Sequence, residues 1–463
     1  MRSTMKAAEN RNFGAVERPH VTIFFDPSGR THGKLFSALE RWLHGRKSAR
    51  RKVTMRTPLA LLAGVICTVG SVYGAPAHAA PCSSLGTLPL VFIENGDTQE
   101  GLLKRLGARL VNSSTPVRLV YKNLPTCTLA ADIYNDNPLV TDLTGARPIR
   151  YIPSATEDPG WNPSLPAPTC EADVSGNAID LGIGATYLSS CPSLPPKPAR
   201  LSVENGPVQA YGFIVPQGSS QIAITAEEGY LAYGFPAGDG QAAPWLEQGL
   251  RLSRAATAST ALTCSAAIGL KASQLRGTIP TNNTSTEVLN LVANSFNPNA
   301  TIGILGTEVY DSSRNIVKLL AFRGFGQRYA YFPDSSATSF DKQNLRDGHY
   351  LPWAPTAYIT RVDGTGKAQN PNARRILDLV SGSRIDPDVN GLDQVIASGL
   401  VPECAMKVAR KFDGGDLELL SAPDPCVCTF EARVPQGSTT CKKCTDDVIC
   451  GGGKCRRGYC EAT

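Results

Sequence analysis

From about Pro81 to Cys426, short apolar runs alternate with stretches of helical periodicity, and this alternation sets the expected elements. Residues 88–93 (LPLVFI) read as a buried strand. Gly96-Asp-Thr-Gln-Glu100 then opens a helix, with Asp97 as N-cap and Glu100 three residues on as its capping-box partner. Leu102, Leu103, Leu106 and Leu110 fall on one face of that helix. Residues 117–121, 179–183 and 208–215 read as further strands. Thr225-Ala-Glu-Glu228 and Thr284-Ser-Thr-Glu287 are capping boxes, the first ahead of Tyr230 and Leu231, the second ahead of Val288, Leu289 and Leu291. Residues 302–305 and 316–322 are expected strands, 371–380 and 390–400 expected helices. Strands that alternate with helices predict an α/β architecture with parallel strands. The Pro-rich runs 159–168 and 192–198 read as surface loops, and no internal repeat is visible.

Composition narrows this picture. The chain has 463 residues, 42% hydrophobic and 19% charged, too apolar for a disordered chain. Its 43 Gly and 34 Pro follow no G-X-Y period, which indicates a loop-rich globular protein. The net charge of +6 is uneven: residues 1–54 carry +8 and Arg56 one more, leaving −3 from Ala80 onward. A basic nucleic-acid surface is therefore not expected. Residues 55–79 (MRTPLALLAGVICTVGSVYGAPAHA) have the three parts of a secretory signal, with Arg56 in front, an apolar stretch over 59–73 and Ala77-His78-Ala79 as the cleavage pattern. Cleavage is expected after Ala79. Cys67 follows Ile66 rather than a small residue, so it is not read as a lipidation site. Residues 1–54 are either a basic leader or sequence upstream of a true start at Met55.

Of fourteen cysteines, thirteen lie beyond the signal and seven crowd into 426–460. Cys441-Lys-Lys-Cys444 has the spacing of half a zinc site, yet neither a second CxxC nor a histidine follows it. A disulfide-stapled tail over 426–463 and no metal is the expectation, because so short a segment with few large apolar side chains cannot hold a core unaided. Cys170 and Cys191 flank a hydrophobic strand and read as a pair. The odd total leaves one thiol free or paired between chains.

Candidate chemistry is sparse. His349 is the one histidine beyond the signal and reads as structural; no G-x-S-x-G and no Gly-rich phosphate loop is present. A carboxylate-based enzyme has no motif behind it. What remains is a set of polar loops at strand-to-helix junctions: Asp97, Thr98 and Gln99; Thr126 and Thr128; Thr186; and Ser259 and Thr260 downstream of Arg254. Ligands of open α/β sheets bind beyond the carboxyl ends of the strands, near helix N-termini. Hydroxyls with one arginine suit a small polar or anionic ligand, although each Ser or Thr taken singly also reads as a helix cap. No cofactor is expected.

The order of these loops resembles the phosphate-type substrate-binding proteins of ABC importers, with their two-lobed (type II) periplasmic-binding fold. The resemblance rests on the strand, polar loop and helix of 91–101, on Asp180-Leu-Gly-Ile-Gly184, on residues 207–216 (PVQAYGFIVP), and on Pro244-Trp245 leading to Arg254 and Thr260. Residues 300–305 match the strand by which that family returns to its first lobe. The resemblance implies a substrate-binding domain over 81–425, with lobe one about 81–215 and 306–425 and lobe two about 216–305. Three departures bear on function. Ala185-Thr186 stands where the family carries Ser-Asp, Arg254-Ala-Ala-Thr-Ala-Ser259-Thr260 keeps only the Arg and the last Thr of Arg-x-x-x-Ser-Gly-Thr, and Asp97 brings negative charge to the anion's place.

The expectation is thus a periplasmic or secreted bacterial binding protein that performs no chemistry. It captures a small polar or anionic solute, phosphate included but at an altered site, and passes it to an importer permease or a cell-surface partner. The alternatives are a surface scaffold or adhesion protein with a vestigial pocket, and, behind it, a carboxylate hydrolase whose cleft holds two facing acids. N-x-S/T sites stand at Asn112, Asn282, Asn283 and Asn299.

Overall fold

The computed structural model describes residues 79–236 and 242–461; the leader 1–54 and the signal segment up to residue 78 lie outside the described residues. Along the chain run β1 (Leu90–Asn95), α1 (Glu100–Val111), β2 (Arg118–Asn123), α2 (Thr126–Tyr134), β3 (Ile149–Tyr151), β4 (Thr169–Cys170), β5 (Leu181–Gly184) and β6 (Leu201–Pro216). Then come β7 (Ala223–Thr225), α3 (Ala226–Gly234), β8 (Arg251–Leu252), α4 (Ser259–Ala267), α5 (Ser285–Ala293), β9 (Ile302–Gly306), α6 (Thr307–Asp311), β10 (Val317–Leu319) and β11 (Ala321–Arg323). The last elements are α7 (Gln343–Arg346), β12 (Trp353–Arg361), α8 (Pro371–Ser381), α9 (Gly391–Ala397), β13 (Val408–Ala409), β14 (Glu418–Leu419), α10 (Val427–Arg433), β15 (Lys454–Arg456) and β16 (Tyr459–Glu461).

One sheet with the order β4-β3-β2-β1-β5-β12-β6-β9-β8 organises the molecule, and β10 adds to β6. Strands β2, β1 and β5 are parallel, as the strand–helix alternation predicts, and α1 buries Leu102, Leu103, Leu106 and Leu110 on its inward face. At Gly107 of that helix an added Cβ would come within 2.7 Å of the Ile152 side chain, so glycine lets the helix lie close to the sheet. At 16 residues, β6 is long enough to serve two halves, about 50 Å at the usual strand rise. Its first part pairs antiparallel with β12, and its last part pairs with β9 and β10. The chain therefore passes from a first α/β half to a second along β6 and returns along β12. This is the two-lobed α/β architecture the resemblance implies.

The return point differs from the expectation. Residues 302–305 form β9, which pairs with β8 and β6 and so stays in the second half. Strands β10 and β11 also stay there, against β6 and β7. The expected single strand over 316–322 is broken at Leu320: its N–H still donates to β6, at Phe213 O (2.8 Å), whereas Ala321 N donates to Ile222 O at 3.0 Å, and the chain continues beside β7.

Each half has its own core. Val91, Leu106, Tyr121, Ile376, Leu379 and Val395 are among the buried residues of the first. Phe213, Tyr233, Trp245, Phe322 and Trp353 anchor the second, where Phe213 stacks on Phe322 at 5.7 Å between ring centroids. The Thr225 and Glu228 capping box forms in both directions at α3. At α5 only half of the expected box forms: Thr284 accepts from Glu287 N, while the Glu287 carboxylate accepts from Asn282 N at 2.8 Å.

Among the described residues, six disulfides staple the fold. Cys170 and Cys191 do not pair with each other; the bridges are Cys82–Cys170 and Cys127–Cys191, because β4 brings Cys170 beside the start of the described chain. Cys404–Cys426 ties the tail to the body, and Cys428–Cys441, Cys444–Cys455 and Cys450–Cys460 close it internally. The Cys444, Cys450 and Cys460 sulfurs lie within 4.8 Å of one another, but each is already bonded to sulfur. The buried Glu461 carboxylate accepts from Cys428 N at 2.9 Å and Thr429 N at 3.1 Å, closing the tail onto the N-terminus of α10. Among the described residues, Cys264 alone is a free thiol, and it is buried.

Candidate functional site

The parallel strands β1 and β5 of the first half and β8 of the second end on a common cleft, where their following loops meet. Asp97 does not cap α1. Residues Asp97–Gln99 form a 3-10 turn, the N-cap of α1 is Gln99, and no side chain caps it. The reason lies across the cleft: Asp97 Oδ2 accepts from Arg254 Nη2 at 3.1 Å and from Ser285 N at 2.8 Å, at the N-terminus of α5. Burial on its own would raise the Asp97 carboxyl; the Arg254 guanidinium and the Ser285 N–H outweigh it and hold the group below the ordinary carboxylate range.

Arg254 points inward, with 2% of its side chain exposed. Its Nε donates to Asn283 Oδ1 at 3.1 Å, Nη1 to Ser285 Oγ at 2.8 Å, and Nη2 to Asn283 O at 2.7 Å as well as to Asp97. Four of five N–H donors are thus engaged within the protein, and the charge is neutralised by Asp97. Asn283 reaches this position from a left-handed backbone conformation (φ 49°), one that Asn tolerates well.

The other expected residues divide. Thr98 is buried and lines the same cleft, and its hydroxyl and that of Ser259 bear on the Tyr211 hydroxyl, which donates to Ala185 O. Gln99 Nε2 donates to Gln209 Oε1 at 3.1 Å. Thr126 has a positioning role: its Oγ1 accepts from Ala185 N at 3.1 Å and pins two loops together. Thr186 turns to a different partner, Asp413, at 2.7 Å. Ser259 and Thr260 are buried at the start of α4. Thr128 is exposed on α2 and does not join the site. The helix start that suggested it presents Cys127 N instead, which donates to Thr257 O at 3.0 Å across the cleft.

Sequence reasoning missed Gln209, Glu308 and Asp413. Gln209 Nε2 donates to Glu308 Oε2, and burial foremost, with Asp97 adding to it, pushes the Glu308 carboxyl up to about 8. Glu308 therefore holds its proton at neutral pH. Gln99 Oε1 and Glu308 Oε1 are shut off from solvent and find no hydrogen-bond partner among the described residues. Thr98, Asp97, Glu308 and Thr286 border a cavity of about 640 Å³ that opens from the cleft toward α9 and α10. Glu308 stands two residues past the end of β9, so an acidic residue just beyond a buried strand was the available signal. Asp413 lies in a loop with no neighbouring pattern to mark it.

Asp97 and Glu308 are two acids on one cavity, the arrangement a carboxylate hydrolase would use. Asp97 is committed to Arg254 and Ser285, which removes it as a free base. His349 stacks on Tyr331 with ring centroids 5.0 Å apart, outside the loops that form the cleft.

No protein-family model and no curated protein matches this sequence. Among solved structures, the chain is similar to a putative phosphate ABC transporter substrate-binding protein with bound phosphate from Clostridium perfringens (12% identity, TM-score 0.43, 68% of this chain and 99% of that one). It is also similar to an ABC-type phosphate transport receptor from Vibrio cholerae (13% identity, TM-score 0.40, 67% and 99%). A third similar structure is the reduced OxyR regulatory domain from Pseudomonas aeruginosa (12% identity, TM-score 0.34, 63% and 95%).

Proposed function

We propose that this protein is an exported, non-enzymatic binding protein whose two halves close on a small uncharged or amine-bearing polar solute, for delivery to a membrane importer or sensor. One observation carries the reading: the Asp97 carboxylate occupies the Arg254 guanidinium and the Ser285 N–H, the donors an anion would need. A phosphate entering there would meet a carboxylate and an arginine already neutralised, and an anion left without donors in a buried site costs several kcal/mol. The unpartnered Gln99 oxygen accepts, whereas Glu308, with Oε2 taken by Gln209, carries its proton on Oε1 and needs an acceptor; together they favour a ligand whose groups both donate and accept, such as a hydroxyl or a neutral amine. Both oxygens are sealed while the halves touch, so capture requires the halves to part and close again about β6 and β12. Six disulfides fit an oxidising compartment outside the cytoplasm, in keeping with the signal segment.

The scaffold reading also has an observation in its favour. Protein groups make the cross-cleft contacts themselves, Cys127 N to Thr257 O and Arg254 to Asp97 among them, as they would in a pocket that has lost its ligand. Calorimetric titration of the full chain with a polyol, a monosaccharide, a diamine and an amino acid decides between the two. Saturable binding of one class supports the solute-binding reading. No heat from any of them, with a cooperative thermal transition intact, supports the scaffold.

A further inference from the structure

A second polar cluster lies between the halves and does not involve Arg254. The Asp413 carboxylate accepts from Thr186 Oγ1 at 2.7 Å and from Ser190 Oγ on one oxygen, and from Thr263 Oγ1 at 3.1 Å on the other. Thr186 and Ser190 follow β5 in the first half, and Thr263 lies in α4 of the second. Thr186 and Thr263 are almost fully buried, and their hydroxyls are 3.0 Å apart. Three hydroxyls have three protons to give, and all three converge on this one carboxylate. Among the described residues no ion pair neutralises Asp413; Arg410 acts on it from beyond contact distance. The segment that carries Asp413 is a strap over the cleft: Tyr187 Oη donates to Arg410 O at 2.7 Å on one side, and Gly414, with φ +73°, passes over Ala266 of α4 on the other.

We propose that Thr186, Ser190 and Thr263 form a receptor for a small carboxylate, that Asp413 fills it as an internal ligand, and that a free monocarboxylate takes the place when the strap is displaced. Hydroxyls without a cation suit a single delocalised negative charge rather than a dianion, which would need more donors than three. A carboxylate bound there also joins the halves, because its two oxygens are held from opposite sides of the cleft. The proposal does not rest on the solute reading of the Asp97 region, and its test leaves that region untouched.

The test is thermal melting of the full chain carrying Asp413→Gly, with formate titrated against chloride at constant ionic strength. The expected result is a lower midpoint than the parent that formate raises saturably. The parent should not respond, nor should Asp413→Gly combined with Thr263→Val. An equal response to formate in parent and Asp413→Gly overturns the proposal. Should Asp413→Gly fail to fold, Thr263→Val in the otherwise intact chain is read by hydrogen exchange over residues 411–415. Exchange about tenfold faster than in the parent supports the receptor, and unchanged exchange overturns it.

Discussion

Replacing Asp97 by Asn tests the cross-cleft ion pair directly. The substitution keeps the shape and one acceptor oxygen but removes the charge facing Arg254, whose side chain is 2% exposed against 20% for Asp97. Removing one partner of a buried pair costs about 3–5 kcal/mol, because the remaining charge is stranded. The partial exposure of Asp97 places this case near the lower end, about 3 kcal/mol. Unfolding entropy scales to about 0.8 kcal/mol per kelvin over a unit the length of residues 79–461, so the midpoint should fall by about 4 °C at pH 7. Two further results separate the ion pair from general damage. In Asp97→Asn, sulfate or phosphate should raise the midpoint saturably, since Arg254 regains an unmet charge; Arg254→Met should be destabilised to a similar degree with no anion response. Because the Asp97 carboxyl is depressed in the fold, its contribution is present above the ordinary carboxylate pKa and is lost as pH falls through the lower folded value. The parent should therefore show a steeper acid limb than Asp97→Asn, in which the other depressed carboxyls, Glu157 and Asp386 among them, still act. A variant that melts within about 1 °C of the parent and ignores both anions would refute the reasoning.

Other consequences follow from the buried acids and the bridges. Glu308 titrates at about 8 in the folded chain, so between about pH 4.5 and 8 the native state keeps a proton that the unfolded chain has lost. Its contribution makes stability decline as pH rises through that window and level off above it; Glu94, also pushed up to about 8 chiefly by burial, acts the same way. Glu308→Gln should flatten this slope without abolishing it, as denaturant melts at stepped pH would show. Removing Cys127–Cys191, with a sequence separation of 64, should cost up to about 4 kcal/mol by the loop-entropy argument, read as a lower urea midpoint with a larger m value, because the unfolded chain is freer to expand.

Much of the frame was legible because apolar periodicity decides it. The inward face of α1, strands β1, β2, β5 and β9, and the Thr225 cap are all local patterns, and the structure keeps them. β12 (WAPTAYITR) was missed: it is buried on both faces, with a proline inside, and shows no alternation to read. α2 and α4 begin among Thr, Ser and Cys residues, which equally suit loops. At the site, Arg254 and the 96–99 loop were found because strand-to-helix junctions mark them. Their pairing was not, because Asp97 had a local use as a helix cap and only the tertiary structure shows that Arg254 claims it. Asp413 and Gln209 act through contacts more than 90 residues away in sequence, which no local pattern announces.

Titration of the full chain with inorganic phosphate at pH 7, followed by calorimetry, tests the central claim most directly. With Arg254 neutralised by Asp97, we expect no saturable heat at millimolar phosphate. Saturable binding in the micromolar range would contradict the account, because it would mean that the anion draws Arg254 away from Asp97 and that the cleft remains an anion site.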